Sequence, residues 1–172
     1  MSMLTTSAAR TLARYNAWSN EVLFDAIAAL PPGEASKERP TLFKNMIGTM
    51  NHLYVIDLIW QAHIEGRPHG FTRRDGVLHP ELQDLRRAQE ALDAWYLDWS
   101  SAQSDADLDM PVNFTLTTGN KGVMTRGEIL LHVVNHSTYH RGWVCDLFFQ
   151  VPARPPETDL PVFVREMAKA PA

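Results

Sequence analysis

A chain of 172 residues, 45% hydrophobic and 21% charged, has the make-up of one globular domain with a sizeable core, and residues 1–172 read as that single domain. A net charge of −4 with both signs interspersed offers no basic stripe for nucleic acid and no polybasic membrane anchor. One cysteine excludes an internal disulfide framework, and no apolar run nears the roughly 20 residues that span a bilayer.

The opening MSMLTTSAARTLARYN lacks the apolar stretch of a signal peptide, so a cytoplasmic location is expected. From about Thr5 to Leu30, apolar residues at Leu12, Tyr15, Trp18, Val22, Leu23, Ala26, Ile27 and Leu30 form one face at helical spacing. Pro31-Pro32-Gly33 ends that helix. After a polar loop, Thr41 following Pro40 reads as the start of a second helix, from about Leu42 to Glu65. Its stripe runs through Leu42, Phe43, Met46, Ile47, Met50, Leu53, Ile56, Ile59 and Trp60, with His52 in the middle.

Residues 66–79 form an irregular connection rich in Gly, Pro and charge, in which His69 and His79 are expected to face solvent. Pro80 suits the first position of a third helix, which carries Leu82, Leu85, Ala88, Leu92, Trp95 and Trp99. Val112, Phe114 and Leu116 then alternate with polar residues before a turn at Thr118 to Gly122, the pattern of a short hairpin. Thr125 and Glu128 match a capping box that opens a fourth helix to about Gln150. The tail reads as extended, with a short helical turn around Phe163 to Met167. The fold expected is all-α: an up-down four-helix bundle with a β-hairpin-like insertion between the third and fourth helices.

The chemistry concentrates in HVVNHSTYHRG, where His132, His136 and His140 recur every four residues. A step of four turns about 40° and climbs about 6 Å, so neighbouring imidazoles share a face and can grip one metal ion. His132 and His140, about 12 Å apart along the axis, cannot share one. A site would use 136/140 or 132/136 and needs another ligand. His52 supplies it if the second and fourth helices are neighbours, whereas His63, three turns further along, cannot join it. Three neutral imidazoles suit zinc or nickel and leave a coordination position open for water or a substrate.

Other signals are weaker. Neither HExxH, Glu-x-x-His, GxxxxGK[ST] nor GxGxxG occurs. Cys145 lies about 180° round the helix from His136, a place for core packing. Tyr139 and Arg141 flank the histidine face and are the candidates for a part in catalysis; Arg141 suits either an anionic substrate group or an interhelical ion pair. Asp57 projects about 140° from His52 and Glu128 is engaged in capping, so neither is assigned proton transfer.

ARYNAWSNEVL in the first helix, MNHLYVID in the second, LLHVVNHSTYHRG in the fourth and PPETDLPVFVRE near the end together resemble the DinB/YfiT-like metalloenzyme family. The resemblance implies a four-helix bundle whose metal ligands fall on His52, His136 and His140, with His132 either in packing or supporting the ligands from behind. It also implies a divalent transition metal, zinc or nickel, and thiol-dependent S-transfer or a related addition, isomerisation or hydrolysis on a small electrophile. The partners expected are a small-molecule substrate and a low-molecular-weight thiol, with no nucleic acid and no membrane. The alternative is a bundle that binds metal or a small ligand without catalysis. Five tryptophans are spread over the four helices, where they are either all core or in part uncovered at an interface, and the family's tendency to pair tips the expectation to a homodimer.

Overall fold

The computed structural model describes residues 4–169. Helix α1 spans Thr6–Ala28, α2 Met46–Ile64 and α3 Leu82–Ala102; a single turn, α4, covers Asp105–Leu108. Strands β1 (Pro111–Thr115) and β2 (Lys121–Thr125) precede α5 (Arg126–Phe148), and α6 (Leu160–Lys169) closes the described chain. No described helix is long and apolar enough to cross a membrane.

The helix starts follow side-chain capping. Thr5 accepts the Ala8 amide, and Thr125 and Glu128 form the expected reciprocal capping box on α5. Two boundaries differ from the sequence reading. Thr41 does not start α2: Lys44 sits in the left-handed region at φ 68° and Asn45 is the N-cap, its Oδ1 accepting the Gly48 amide at 2.7 Å. Residues 42–45 are therefore a turn, which carries Phe43 out of the helix. The unexpected α4 has its own box, with Ser104 and Asp107 as cap and N3. Asp serves there where Glu or Gln is usual.

The long helices form a ring in which α1 packs against α3 and α5, and α2 against α5 and α3. Their contacts give the directions. Asn20 meets Asp93 and Asp25 meets Arg86, so α1 and α3 are antiparallel. His52 lies against His136 and His140 while Trp60 lies against His132, so α2 and α5 are antiparallel too. Asn51 meets His79 just before α3 and Asp57 meets Gln89 within it, so α2 and α3 run parallel. The bundle thus runs up, down, down, up rather than in the simple alternation expected from the sequence. Parallel α2 and α3 require the chain to climb back along the bundle, and residues 65–81 make that crossover.

Asn51, fully buried beside His52, fastens the crossover. Its Nδ2 donates to the carbonyls of Ile47 and His79, and its Oδ1 accepts the amides of Leu78 and His79 at 2.8 and 2.9 Å. The antiparallel hairpin pairs Pro111 with Thr125 and Thr115 with Lys121. Val112 and Phe114 face inward as their alternation predicts, and Phe114 packs on Trp60. Leu116 falls in the turn, outside the strand. Phe163 of α6 packs on Tyr15 and Trp18.

Two apolar clusters fill the interior. One gathers Tyr15, Ile59, Trp60, Leu92, Tyr96 and Val133; the other gathers Leu23, Phe24, Met50, Leu53, Leu85 and Val144. Between them runs a buried polar seam. Asn20 Nδ2 donates to both oxygens of Asp93, and Gln89 Nε2 donates to Asp57 Oδ2 and Asp93 Oδ1. Arg141 Nη1 donates to Asn16 and Asn20. Burial pushes Asp93 up to about 6 and Asp57 well above the usual carboxylate range; for Asp57, the nearby Asp93 charge pushes the same way. Of the tryptophans, Trp60 is buried and Trp18, Trp95, Trp99 and Trp143 are half-buried.

Replacing Asn51 with Ala should destabilise the fold by about 2–4 kcal/mol, since four hydrogen bonds go and buried backbone groups are left unpaired. Urea unfolding checks this. The raised carboxyl values give a second expectation. A carboxyl whose pKa is raised on folding stabilises the fold while protonated and loses that contribution as pH rises through the folded-state value. Asp57→Asn, uncharged at every pH, should therefore gain stability relative to the wild type as pH increases from 5 to 8. Denaturation midpoints of both proteins across that range measure the difference.

Candidate metal centre

His52 projects from the middle of α2, and His136 and His140 project from successive turns of α5, at the level of the polar seam. One potential ligand atom from each lies within 4.8 Å of the other two. His52 Nε2 and His136 Nε2 are 3.2 Å apart. Two nitrogens bound to one tetrahedral ion at about 2.1 Å would be separated by roughly 3.4 Å. The ring centres are 5.0 Å (His52 to His136), 4.6 Å (His52 to His140) and 4.5 Å (His136 to His140) apart. The donor set fits a single divalent ion.

Electrostatics favour neutral rings, whose lone pairs a metal needs. Burial lowers His136 to about 3, with His140, His52, His132 and Arg74 adding repulsion. Burial and the neighbouring His52 lower His140 to about 4. His52 is lowered by burial too, against the raising effect of its hydrogen bond to the Arg74 carbonyl. That bond, 2.7 Å from Nδ1, places the proton on Nδ1 and leaves the Nε2 lone pair facing His136.

The turn before α2 supplies a lid for the rings. Phe43 stacks on His52 with centres 4.3 Å apart and meets His140 edge-on at 5.6 Å. Arg39, 6% exposed, holds the loop beneath by donating to the carbonyls of Glu34 and Lys37 and to the Glu34 carboxylate, while its amide donates to the Lys44 carbonyl. A Cβ at Gly48 would collide with the Phe43 carbonyl oxygen, so this close turn requires glycine.

The three histidines line a cavity of about 650 Å³, open to solvent, with Phe43, Tyr139, Arg74 and Thr117 among its other walls. The crossover and the hairpin turn form one side, and α5 forms the other. Tyr139 is 60% exposed at the rim, 5.1 Å from the His140 ring. Arg141 points elsewhere. It is 1% exposed, bound in the seam to Asn16 and Asn20, and the anionic-substrate role weighed for it from sequence has no access to this cavity. One residue of helix rotates a side chain by about 100°, which separates Arg141 from its neighbour His140.

His132 stands outside the three-histidine group, edge-on to Trp60 at 4.9 Å. His63 and His69 pack against each other near the hairpin. His69 and His79 are half-buried rather than free in solvent: His69 Nδ1 accepts the Phe71 amide, and His79 lies against Tyr54. Cys145 is half-buried against the second apolar cluster, as core packing requires. Sequence reasoning assigned no site role to Phe43, Arg74 or Asn51. Their roles arise from contacts across 9 to 28 positions of chain, and no local pattern signals them.

Among known proteins, the DinB family model matches residues 1–169. Protein DinB of Bacillus subtilis (strain 168) is 28% identical over 171 residues, covering 92% of this chain and 96% of that protein. In structure, a DinB-like protein from Bacillus cereus ATCC 10987 superposes with a TM-score of 0.58 at 17% identity, over 81% of this chain and 90% of the other, a likeness of fold. With the family model matched along nearly the whole length, the chain belongs to the DinB family.

Proposed function

We propose that this protein is a metal-dependent enzyme holding one divalent ion, zinc or nickel, on His52, His136 and His140. The reaction proposed is thiol-dependent transfer to a small electrophile, or a related addition, isomerisation or hydrolysis. The observation that carries the reading is the convergence of three neutral imidazoles on the wall of an open cavity. A structural site would be closed by a fourth protein ligand, whereas the cluster of potential ligands among the described residues stops at three. When bound, the ion would supply Lewis acidity that lowers the pKa of a thiol or water.

The remaining work falls to the chain's own side chains. His52 is oriented by the Arg74 carbonyl, so its lone pair is aimed before any ion arrives. Phe43 and Trp143 cover the rings on one side and keep bulk water from it. The cavity that Phe43 borders stays open for the substrate, with the Tyr139 hydroxyl at the rim as a hydrogen-bonding group.

Purified without an affinity tag and reloaded with zinc, the protein should hold one equivalent of metal per chain by elemental analysis. His136→Ala should abolish stoichiometric binding, whereas His132→Ala should leave it near one. Unchanged metal content in His136→Ala removes the proposed ligand set.

For the chemistry, metal-free protein should be inactive toward model electrophiles with glutathione, bacillithiol or mycothiol, and activity should return in proportion to zinc or nickel occupancy. X-ray absorption should show metal–sulfur bonding with the active thiol. If no thiol binds the metal at millimolar concentration, thiol transfer is wrong and hydrolysis or plain metal binding replaces it.

A further inference from the structure

The cavity lining carries a cation without a partner among the described residues. Arg73 and Asp75 form a two-pronged ion pair, Nε to Oδ1 at 3.0 Å and Nη2 to Oδ2 at 2.8 Å, which engages the carboxylate nearest in the chain. Arg74, between them, has no hydrogen-bond or ion-pair partner for its guanidinium among the described residues. Its backbone is locked to the histidine cluster through the 2.7 Å bond from His52. Its side chain lines the cavity, and its charge is felt at both His52 and His136.

The charged side chains lining the cavity are Arg73, Arg74 and Asp75, a balance of two positive against one negative. Three neutral histidines would leave a bound divalent ion at its full charge, making the mouth more positive still. The hydroxyl-bearing Thr72, Thr117 and Thr118 line the same cavity as Arg74, and Leu42, Phe43 and Tyr139 give it an apolar wall. A guanidinium fork matches a carboxylate in a planar, two-bond geometry, and threonine hydroxyls can complete its hydrogen bonding.

We propose that Arg74 is the anion-recognising residue of this cavity and that its substrate is a small amphipathic molecule with a carboxylate, its apolar body lying against Leu42, Phe43 and Tyr139. As a statement about substrate, this rests on the enzymatic reading above. As a statement about binding, it stands on the cavity alone. Arg74 is thus a specificity residue that selects which molecules present a reactive atom to the histidines.

The test compares 3-phenylpropionate with 3-phenylpropan-1-ol, which share an apolar body and differ in charge. Dissociation constants are measured by NMR titration at low salt, on metal-free and zinc-loaded protein. The wild type should prefer the carboxylate in both forms by about fivefold or more, and added salt should erode that preference. In the metal-free protein Arg74→Gln should reduce it to near unity with an unchanged melting temperature, because the side chain has no partner to lose among the described residues; Arg74→Lys should keep part of it. A preference retained in metal-free Arg74→Gln overturns the proposal, as does the absence of any preference in the metal-free wild type. A preference confined to zinc-loaded protein overturns it too, since the carboxylate would then be bound by the ion. If zinc does not bind at all, the enzymatic reading fails, and the metal-free titration still decides the role of Arg74.

Discussion

The hydrogen bond from His52 Nδ1 to the carbonyl of Arg74, 2.7 Å long, joins the parts of this molecule that bear on its chemistry. It fixes the tautomer of one imidazole, holds the crossover against α2, and sets Arg74 at the edge of the cavity. Asn51, one residue earlier, supports it by satisfying backbone groups of Leu78 and His79 at the other end of the same segment. An irregular segment packed along a bundle must have its backbone polar groups paired, and here α2 supplies the partners. The same pairing preorganises the histidine face.

The polar seam explains how α5 serves two environments. His136 and His140 turn toward the cavity, while Arg141 turns inward to Asn16 and Asn20. A buried guanidinium needs partners and negative charge nearby, and Asn20 links it to Asp93. Burial keeps both Asp57 and Asp93 from ionising as readily as free carboxylates, and the charge of Asp93 adds to the effect at Asp57. The seam therefore holds α1, α3 and α5 in one register, at the height of the histidines.

The approach to the site is built from loops. The turn of residues 39–45, with Lys44 in a left-handed conformation, puts Phe43 over two of the three rings. Arg39 over-determines that turn through its hydrogen bonds to Glu34 and Lys37, which is how a strained backbone persists. Rigid helices thus carry the three histidines, and loops shape what reaches them.

Much of this was legible in the sequence. Helical periodicity located the four long helices, period-two alternation placed Val112 and Phe114 on one face of a hairpin, and Thr125 with Glu128 marked the start of α5. The spacing of His132, His136 and His140 was a local signal as well, because the helical repeat alone puts each consecutive pair on one face. Yet spacing could not choose between 132/136 and 136/140, since both pairs are geometrically equal along an isolated helix. Family resemblance pointed to His136 and His140, and the tertiary structure brings those two to His52 by setting α2 antiparallel to α5. The same distinction holds for Arg141 and Arg74. Both are arginines near the histidines in sequence or space, and only packing decided that Arg141 is sealed in the seam while Arg74 faces the cavity. Local propensity acts within a few residues, whereas the direction of α3, the path of the crossover and the surroundings of each charge depend on which surfaces the whole chain buries together.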